Sequence, residues 1–516
     1  MRSAIAAVAM LAAAASAAEW YNWNRLQTCS PALYVQPSSE SEVVDIINKA
    51  RSKGQAIKVV GAGHSFSGIT LTSGVMLQLD NMRDPISVRG GPGWVAGSPS
   101  RPASGSATAE VQAGMRVHEL NSFLAGKGLA LENTGAIAIQ SIAGATSTST
   151  HGTGRDIGSM ATGIVGLRLV LANGTVMDAS ATSNAGVFRV ARVGLGALGV
   201  LVRVSVRVVP LFKLRRTATP YSLSAMLPWV YPTAFRRWPR MQWYYTPRTD
   251  SATLLLREVV PFDTPTVDCW NASQLLWVDP SAQLAPGPVM ESQDRGPGFR
   301  RRTVSTPEGR GPAETGVPLS EAPAHWAAAD LSGRGADPVP SGPSVQCVDL
   351  SYRALAHETD DYDLYEEMEM FVDVNDSQAL IERFVAEENR TAAPGRGGDA
   401  WAEYSLFTGM RYVAEDDIPL SMMHGRQTGV VSFIALGNHT VTAAPSVFAA
   451  YARQLEATAA SQRGRWHWGK MNWATAADTR RQYPAEALAA FLEVRAALDP
   501  EGLFLDDYLR QRLPLG

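Results

Sequence analysis

The chain has 516 residues, enough for two or three domains with substantial cores. Hydrophobic residues make up 45% and charged residues 18%, an ordinary globular balance that excludes a collagen-like or wholly disordered chain. A net charge of -3 gives no general pull toward nucleic acid, and three cysteines are too few for a disulfide scaffold.

The first residues, MRSAIAAVAMLAAAASAAEW, have one arginine, an apolar run and a small-residue ending at Ala15, Ser16 and Ala17. That is the grammar of a secretory signal over residues 1–17, too short and alanine-rich for a membrane span. Five N-x-S/T sequons, at Asn173, Asn271, Asn375, Asn389 and Asn438, agree with a glycoprotein of the secretory pathway, secreted or lumenal. Cys269 and Cys347 flank a Pro/Gly-rich stretch, so they read either as one disulfide closing it or, with Cys29, as buried thiols. The eight histidines are scattered, so no metal site is expected.

The run SESEVVDIINKARSKG predicts a helix capped by Ser39 or Ser41, with Val43, Val44, Ile46 and Ile47 on one side. The short strand Ala56–Val60 then enters VVGAGHSFSG, where small residues let the amides of Gly61, Ala62 and Gly63 converge on an anion. His64 sits in that turn. Arg89 to Gly105 reads as a loop, and ATAEVQ followed by RVHELNSFLAGKG as strand and helix. A second small-residue segment, LENTGAIAIQSIAGATSTSTHGTGRDIGS, is too rich in Gly, Ser and Thr for a core; it lets a planar ligand lie against backbone. A hairpin turning at Asn173-Gly174 follows, then GLGALG from Gly194 to Gly199. A nicotinamide fold needs a helix after those glycines and an acid about twenty positions on. Alternating Val and Arg follow, with no Asp or Glu between Ala179 and Thr249, so a strand is expected and nicotinamide binding is rejected. In that acid-free stretch Arg203, Arg207, Arg215, Arg216, Arg236 and Arg237 read as a solvated sheet face, one that leaves peripheral membrane association open.

Taken together, these motifs resemble the FAD-linked oxidases of the vanillyl-alcohol oxidase (PCMH) type, in the sugar-1,4-lactone branch that includes gulonolactone and arabinonolactone oxidases. The matching residues are the Gly61–His64 turn, the Thr-His-Gly-Thr-Gly run Thr150–Gly154, Glu-Met-Glu at Glu367–Glu369, and the closing His-Trp-Gly-Lys at His467–Lys470 before a Leu-Asp-Pro turn. The resemblance implies an α+β chain. Residues 18–210 form a two-subdomain FAD-binding domain, residues 211–261 and 346–465 a substrate (cap) domain on an antiparallel sheet, and residues 466–516 a segment returning to the FAD domain. Residues 262–345 are an insertion without a family counterpart. The resemblance also implies FAD joined covalently through His64 and held by Val60, Gly61, Ala62, Gly63, Ser65, Gly144, Thr146, Ser149, Thr150, Gly152, Thr153, Gly199 and Val200. Ser141 approaches the ring, His151 orders the loop beside it and His467 helps hold it. Arg411 faces flavin and substrate, and Lys470 binds the side of the reacting hydroxyl.

The activity so implied is oxidation of a secondary alcohol of an aldonolactone-like sugar, with hydride passing to the flavin and oxygen as acceptor, giving hydrogen peroxide. A dehydrogenase using another acceptor, or a non-catalytic flavin or ligand binder, are the alternatives. Two departures bear on this choice. Gly409 stands where the family has a glutamate two residues before the arginine, and Ile434 where alditol oxidases carry a hydroxyl. Both losses count against an alditol substrate.

Overall fold

The computed structural model describes residues 19–247, 249–269, 337–356, 365–391, 405–436 and 447–515. The signal segment, the body of the insertion and the sequons at Asn271 and Asn438 lie outside the described residues.

The chain folds as α+β. The helix Glu40–Ser52 buries Val43, Ile47 and Ala50, and the Ser39 hydroxyl accepts from the Glu42 amide to cap it. Helical spacing gives that face its apolar stripe. It lies beside a three-stranded parallel sheet in which Val75–Gln78 runs between Leu33–Val35 and Ile57–Val60. Glu40 also binds Arg168, at 2.7 Å, fixing the helix to the next sheet. That sheet is antiparallel and carries Val176–Ser180, Ile164–Val170, Val200–Pro210, Ala107–Gln112 and Pro85–Gly90 in order, with Leu129–Ala130 added to Val200–Pro210. As expected, GLGALG opens into a strand, and Asn173 lies exposed at its hairpin turn. The expected loop 89–105 begins as the strand Pro85–Gly90 and then folds over itself through a bridge between Val95 and Ser104.

An eight-stranded antiparallel sheet forms the second half. Its order is Val345–Leu350, Lys213–Ser222, Ser251–Val260, Met241–Tyr245, Ser405–Val413, Thr428–Leu436, Tyr365–Asp373, Arg465–Trp466. Alternation within each strand sends every second residue to one face. Register therefore gathers Arg216, Arg257, Tyr244, Gly409, Arg411, Ser432, Glu367 and Glu369 on a single surface. Cys269 and Cys347 are joined in a disulfide, so the two ends of the insertion are fastened together. Among the described residues, no helix is long and apolar enough to cross a membrane.

The last residues return to the first domain. Ile57 donates to the Leu503 carbonyl at 2.8 Å, and buried Lys58 pairs with Asp506, the residue that caps the helix Asp507–Arg512.

One buried acid makes stability depend on pH. Glu456, in the helix Val447–Ala460, faces the Trp473 amide at 3.1 and 3.3 Å. Burial pushes its carboxyl up to about 7, against the pull of that amide. Because the folded state holds this proton more tightly than the unfolded chain, the group costs stability increasingly as pH rises from the ordinary carboxylate value through 7. The full cost is about 3 kcal/mol. Glu456→Gln keeps the acceptor, so it is expected to raise the melting temperature by a few degrees more at pH 8 than at pH 5. Thermal unfolding at the two pH values measures this, and an equal gain at both would refute it.

Candidate functional site

Three small-residue segments separated in sequence line one groove of about 980 Å³ that opens to solvent. The strand Ile57–Val60 delivers the turn bearing Gly61, Ala62, Gly63, His64 and Ser65. Against it lies the stretch from Gln140 to Thr148, whose short helix Ile142–Ser147 is capped by the Ser141 hydroxyl on the Gly144 amide. The third wall is Gly194 to Gly199. These walls are close: a Cβ at Gly61 would meet the Ser141 hydroxyl at 2.1 Å. Gly63 and Gly199 have φ of +70° and +140°, conformations that favour glycine. A long channel walled by backbone and small side chains fits an FAD dinucleotide.

Most expected cofactor residues line this groove, while some point elsewhere for identifiable reasons. Val60, Gly61, Ala62, Gly63, His64, Ser65, Ser141, Gly144 and Gly199 line it. The Thr146 hydroxyl instead turns back to the Ile142 carbonyl within its own helix. Val200 is fully buried in its strand. Ser149 points to Ser421, their hydroxyls 3.2 Å apart, and Thr150 is backbone-bonded to Ala145 and Met160. Gly152 and Thr153 line a second cavity beneath the eight-stranded sheet. The run Thr150–Gly154 thus acts as a stitch between halves: Thr153 Oγ1 donates to the Met241 carbonyl, and the Gly154 amide to the Tyr412 carbonyl at 2.7 Å.

His64 stacks on Trp23, with ring centroids 5.0 Å apart and planes 10° from parallel. Trp23 also packs against Phe66 and Tyr365, and the Lys470 ammonium lies 4.8 Å over the Phe66 ring. The His467–Lys470 turn is locked onto the glycine turn: Phe66 donates to the Gly469 carbonyl, and Ser67 Oγ to that of Trp468, each at 2.7 Å. Behind it, Tyr508 donates to the Trp468 carbonyl at 2.8 Å.

Two glutamates organise the polar centre. Glu369 accepts from Ser432 Oγ at 2.9 Å, and lies 3.5 Å from Arg411, 3.4 Å from His151 Nε2 and 4.0 Å from His467 Nε2. Burial pushes its carboxyl up, but Lys470, His151 and Arg411 outweigh that and hold it well below the usual range. Glu367, two residues earlier on the same face, pairs with Lys470; burial pushes it up despite that lysine. Burial drives His467 down to about 3, leaving a neutral imidazole whose Nδ1 accepts from the Gly469 amide at 2.9 Å. Its proton is then on Nε2, facing Glu369.

His151, Glu369 and His467 also present ligand atoms within 4.8 Å of one another, a gathering that sequence spacing did not indicate. Arg411 and Ser432 occupy the carboxylate's other oxygen, and Lys470 adds charge nearby, so the cluster reads as a hydrogen-bonded hub. Arg411 lies at this hub and lines the second cavity; Lys470, beside it, is held by Glu367.

Glu367, Glu369, Ser432 and Tyr244 were missed as site residues by sequence reasoning. The alternation Glu-Met-Glu in a strand was the available signal for the first two. Ser432 puts a hydroxyl on the same sheet face as Ile434, one step away. At Gly409 a Cβ would fall 2.8 Å from the Tyr244 ring, so that ring fills the space a glutamate would need. Tyr244 and Glu369 together hold Arg411 charged against the effect of burial. Arg216, expected on a solvated face, is buried instead, because its strand is paired on both sides and turns it into the second cavity.

Comparison with known proteins fits this geometry. A relative 30% identical over 501 residues, covering 96% of this chain and 99% of its own length, is the L-gulono-1,4-lactone dehydrogenase of Mycobacterium tuberculosis (strain CDC 1551 / Oshkosh). The chain belongs to the aldonolactone oxidase and dehydrogenase family of FAD-dependent oxidoreductases. The FAD binding domain family matches residues 31–180, and the D-arabinono-1,4-lactone oxidase family residues 344–512. Another family relative, the L-gulonolactone oxidase of Mus musculus, is 37% identical over 209 residues, 40% of this chain and 44% of that one. Among solved structures, a solvent-stable cholesterol oxidase has the same fold at a TM-score of 0.65 and 16% identity, covering 95% of this chain and 96% of that one. The 6-hydroxy-D-nicotine oxidase of Arthrobacter nicotinovorans gives 0.61 at 16%, covering 95% and 94%.

Proposed function

We propose that this chain oxidises a secondary CH–OH group of a sugar-derived substrate of the aldonolactone class, with oxygen as the acceptor and hydrogen peroxide as product. The observation that carries this is the hub of Arg411, Glu367 and Glu369 on one buried sheet face with Lys470 against it, in a turn bonded to the glycine turn of the groove that fits FAD. Bound FAD supplies a two-electron acceptor for the hydride. Gly61 to Ser65, Ser141 and Gly199 would hold it, with His64 as its covalent attachment point.

The protein's own part is to place the alcohol carbon and manage charge. Lys470, anchored by Glu367, is positioned to bind the oxygen of the reacting alcohol. Arg411, fixed by Glu369 and Tyr244, brings a permanent positive charge to the end of the second cavity. The Glu367 carboxylate, paired with Lys470, can take up the hydroxyl proton, since burial raises its affinity for one. Gly409 does not strip the site of its carboxylates, because Glu369 reaches the same arginine from two strands away, across Thr428–Leu436.

A second reading, a dehydrogenase passing electrons to an acceptor other than oxygen, is favoured by the full-length relative of that activity. Anaerobic mixing with L-gulono-1,4-lactone or D-arabinono-1,4-lactone is expected to bleach the flavin. Readmitted air should then restore its colour and yield peroxide. Recovery only with an added dye would favour the dehydrogenase, and a flavin that no lactone bleaches would sink both.

The disulfide supports residence in an oxidising compartment, and Asn173 and Asn375 are exposed as glycan acceptors must be.

A further inference from the structure

The second cavity, of about 1180 Å³, extends from Arg411 across the eight-stranded sheet, and its polar lining continues beyond that arginine. Trp243 pairs with Met410, which puts Gln242 across from Arg411 on the next strand and on the same face. Gln242 is more than nine-tenths buried, yet it lines the cavity, and its Nε2 donates to the Tyr244 hydroxyl at 2.6 Å. That bond fixes the amide plane, while the amide oxygen Oε1 has no hydrogen-bond partner among the described residues. One strand further on, Arg257 is buried to a similar degree and lines the same cavity. Its Nε donates to the Ala354 carbonyl at 3.2 Å, which sets the guanidinium plane. Neither Nη1 nor Nη2 has a hydrogen-bond partner among the described residues.

Buried polar groups are ordinarily bonded, because each one left alone costs stability. An acceptor and a donor kept in that condition against one cavity call for a ligand that supplies both. A hydroxyl does so: it donates to an amide oxygen and accepts from a guanidinium, and the bond to the charged partner is the stronger. A sugar lactone carries such hydroxyls on the tail beyond its ring. About 5 Å separates the strand of Arg411 from that of Gln242, and about 10 Å from that of Arg257. With the reacting alcohol at Arg411, the lactone ring covers the first interval and the tail enters the second.

We propose that Gln242 and Arg257 form a subsite for the hydroxylated tail of the lactone, so that this chain prefers a six-carbon aldonolactone, with a tail diol, to a five-carbon one with a single tail hydroxyl. The inference rests on the proposed reaction, which puts the reacting alcohol at the Arg411 end.

D-lyxono-1,4-lactone has the ring configuration of L-gulono-1,4-lactone and a tail shorter by one CHOH unit, so the pair isolates the tail. The full-length flavoprotein is mixed with each under anaerobic conditions, and the efficiency of flavin reduction is compared; thermal stabilisation gives binding independently of turnover. The longer lactone is expected to be favoured about tenfold or more. Gln242→Met and Arg257→Met should each bring the two lactones close to parity, and Arg257→Lys should keep part of the preference. Removing a buried cation relieves its desolvation, so Arg257→Met should hold its flavin and melt no lower than the parent. A merely structural arginine would instead lower the melting temperature on removal and leave the preference unchanged. The proposal is overturned by that result, by a parent that treats the two lactones alike, or by methionine variants that both keep the parent's preference. If neither lactone bleaches the flavin, the oxidation reading fails, and the ratio of thermal stabilisation alone decides the subsite.

Discussion

Arg411→Met is expected to slow flavin reduction by a lactone about 100- to 1,000-fold, the usual consequence of removing one preorganised donor from a site where charge develops. The guanidinium is buried, 3.5 Å from Glu369, and held charged by Tyr244 and Glu369. Flavin content should stay near normal, because Arg411 does not line the cofactor groove. Arg411→Lys should recover only part of the rate, since a point charge cannot reproduce a fork that meets a carboxylate and a phenol together. Stopped-flow absorbance under argon measures the step directly. A rate within threefold of wild type would remove Arg411 from the chemistry.

His64→Ala is expected to move flavin fluorescence from the acid-precipitated protein into the supernatant. In the parent, the imidazole sits in the groove and stacks on Trp23, an arrangement that fixes the ring plane before any bond to the cofactor forms. Loss of the stack should itself cost about 1 kcal/mol of stability. The groove remains, so the variant should still bind FAD, reversibly. Acid precipitation of both proteins decides the matter: fluorescence in the parent's supernatant would mean that His64 carries no tether.

Much of the groove was legible because its requirements are local. Glycine at positive φ, small residues along a ligand and a strand running into a turn all leave marks within ten or so residues. GLGALG was readable for the same reason, since the valines after it could only continue as a strand. The polar hub was less legible. Glu367 and Glu369 are marked by their alternation, but their burial and partners come from Ser432, His151, Arg411 and Lys470, brought together by sheet pairing. Tyr244 left no signal, because its role depends on a glycine on another strand that yields space to its ring. Arg216 misled for a related reason: it belongs to an acid-free run that looks solvated until both neighbouring strands are in place.

The contact between Lys58 and Asp506 bears on how the holoprotein is made. Lys58 belongs to the wall of the cofactor groove, yet its counter-charge arrives nearly 450 positions later, with the helix that also braces the His467–Lys470 turn. A chain still attached to the ribosome would carry an unfinished flavin seat with a bare ammonium in its wall. Cofactor capture is therefore expected to await that helix, and a chain truncated before Asp506 to emerge with little flavin.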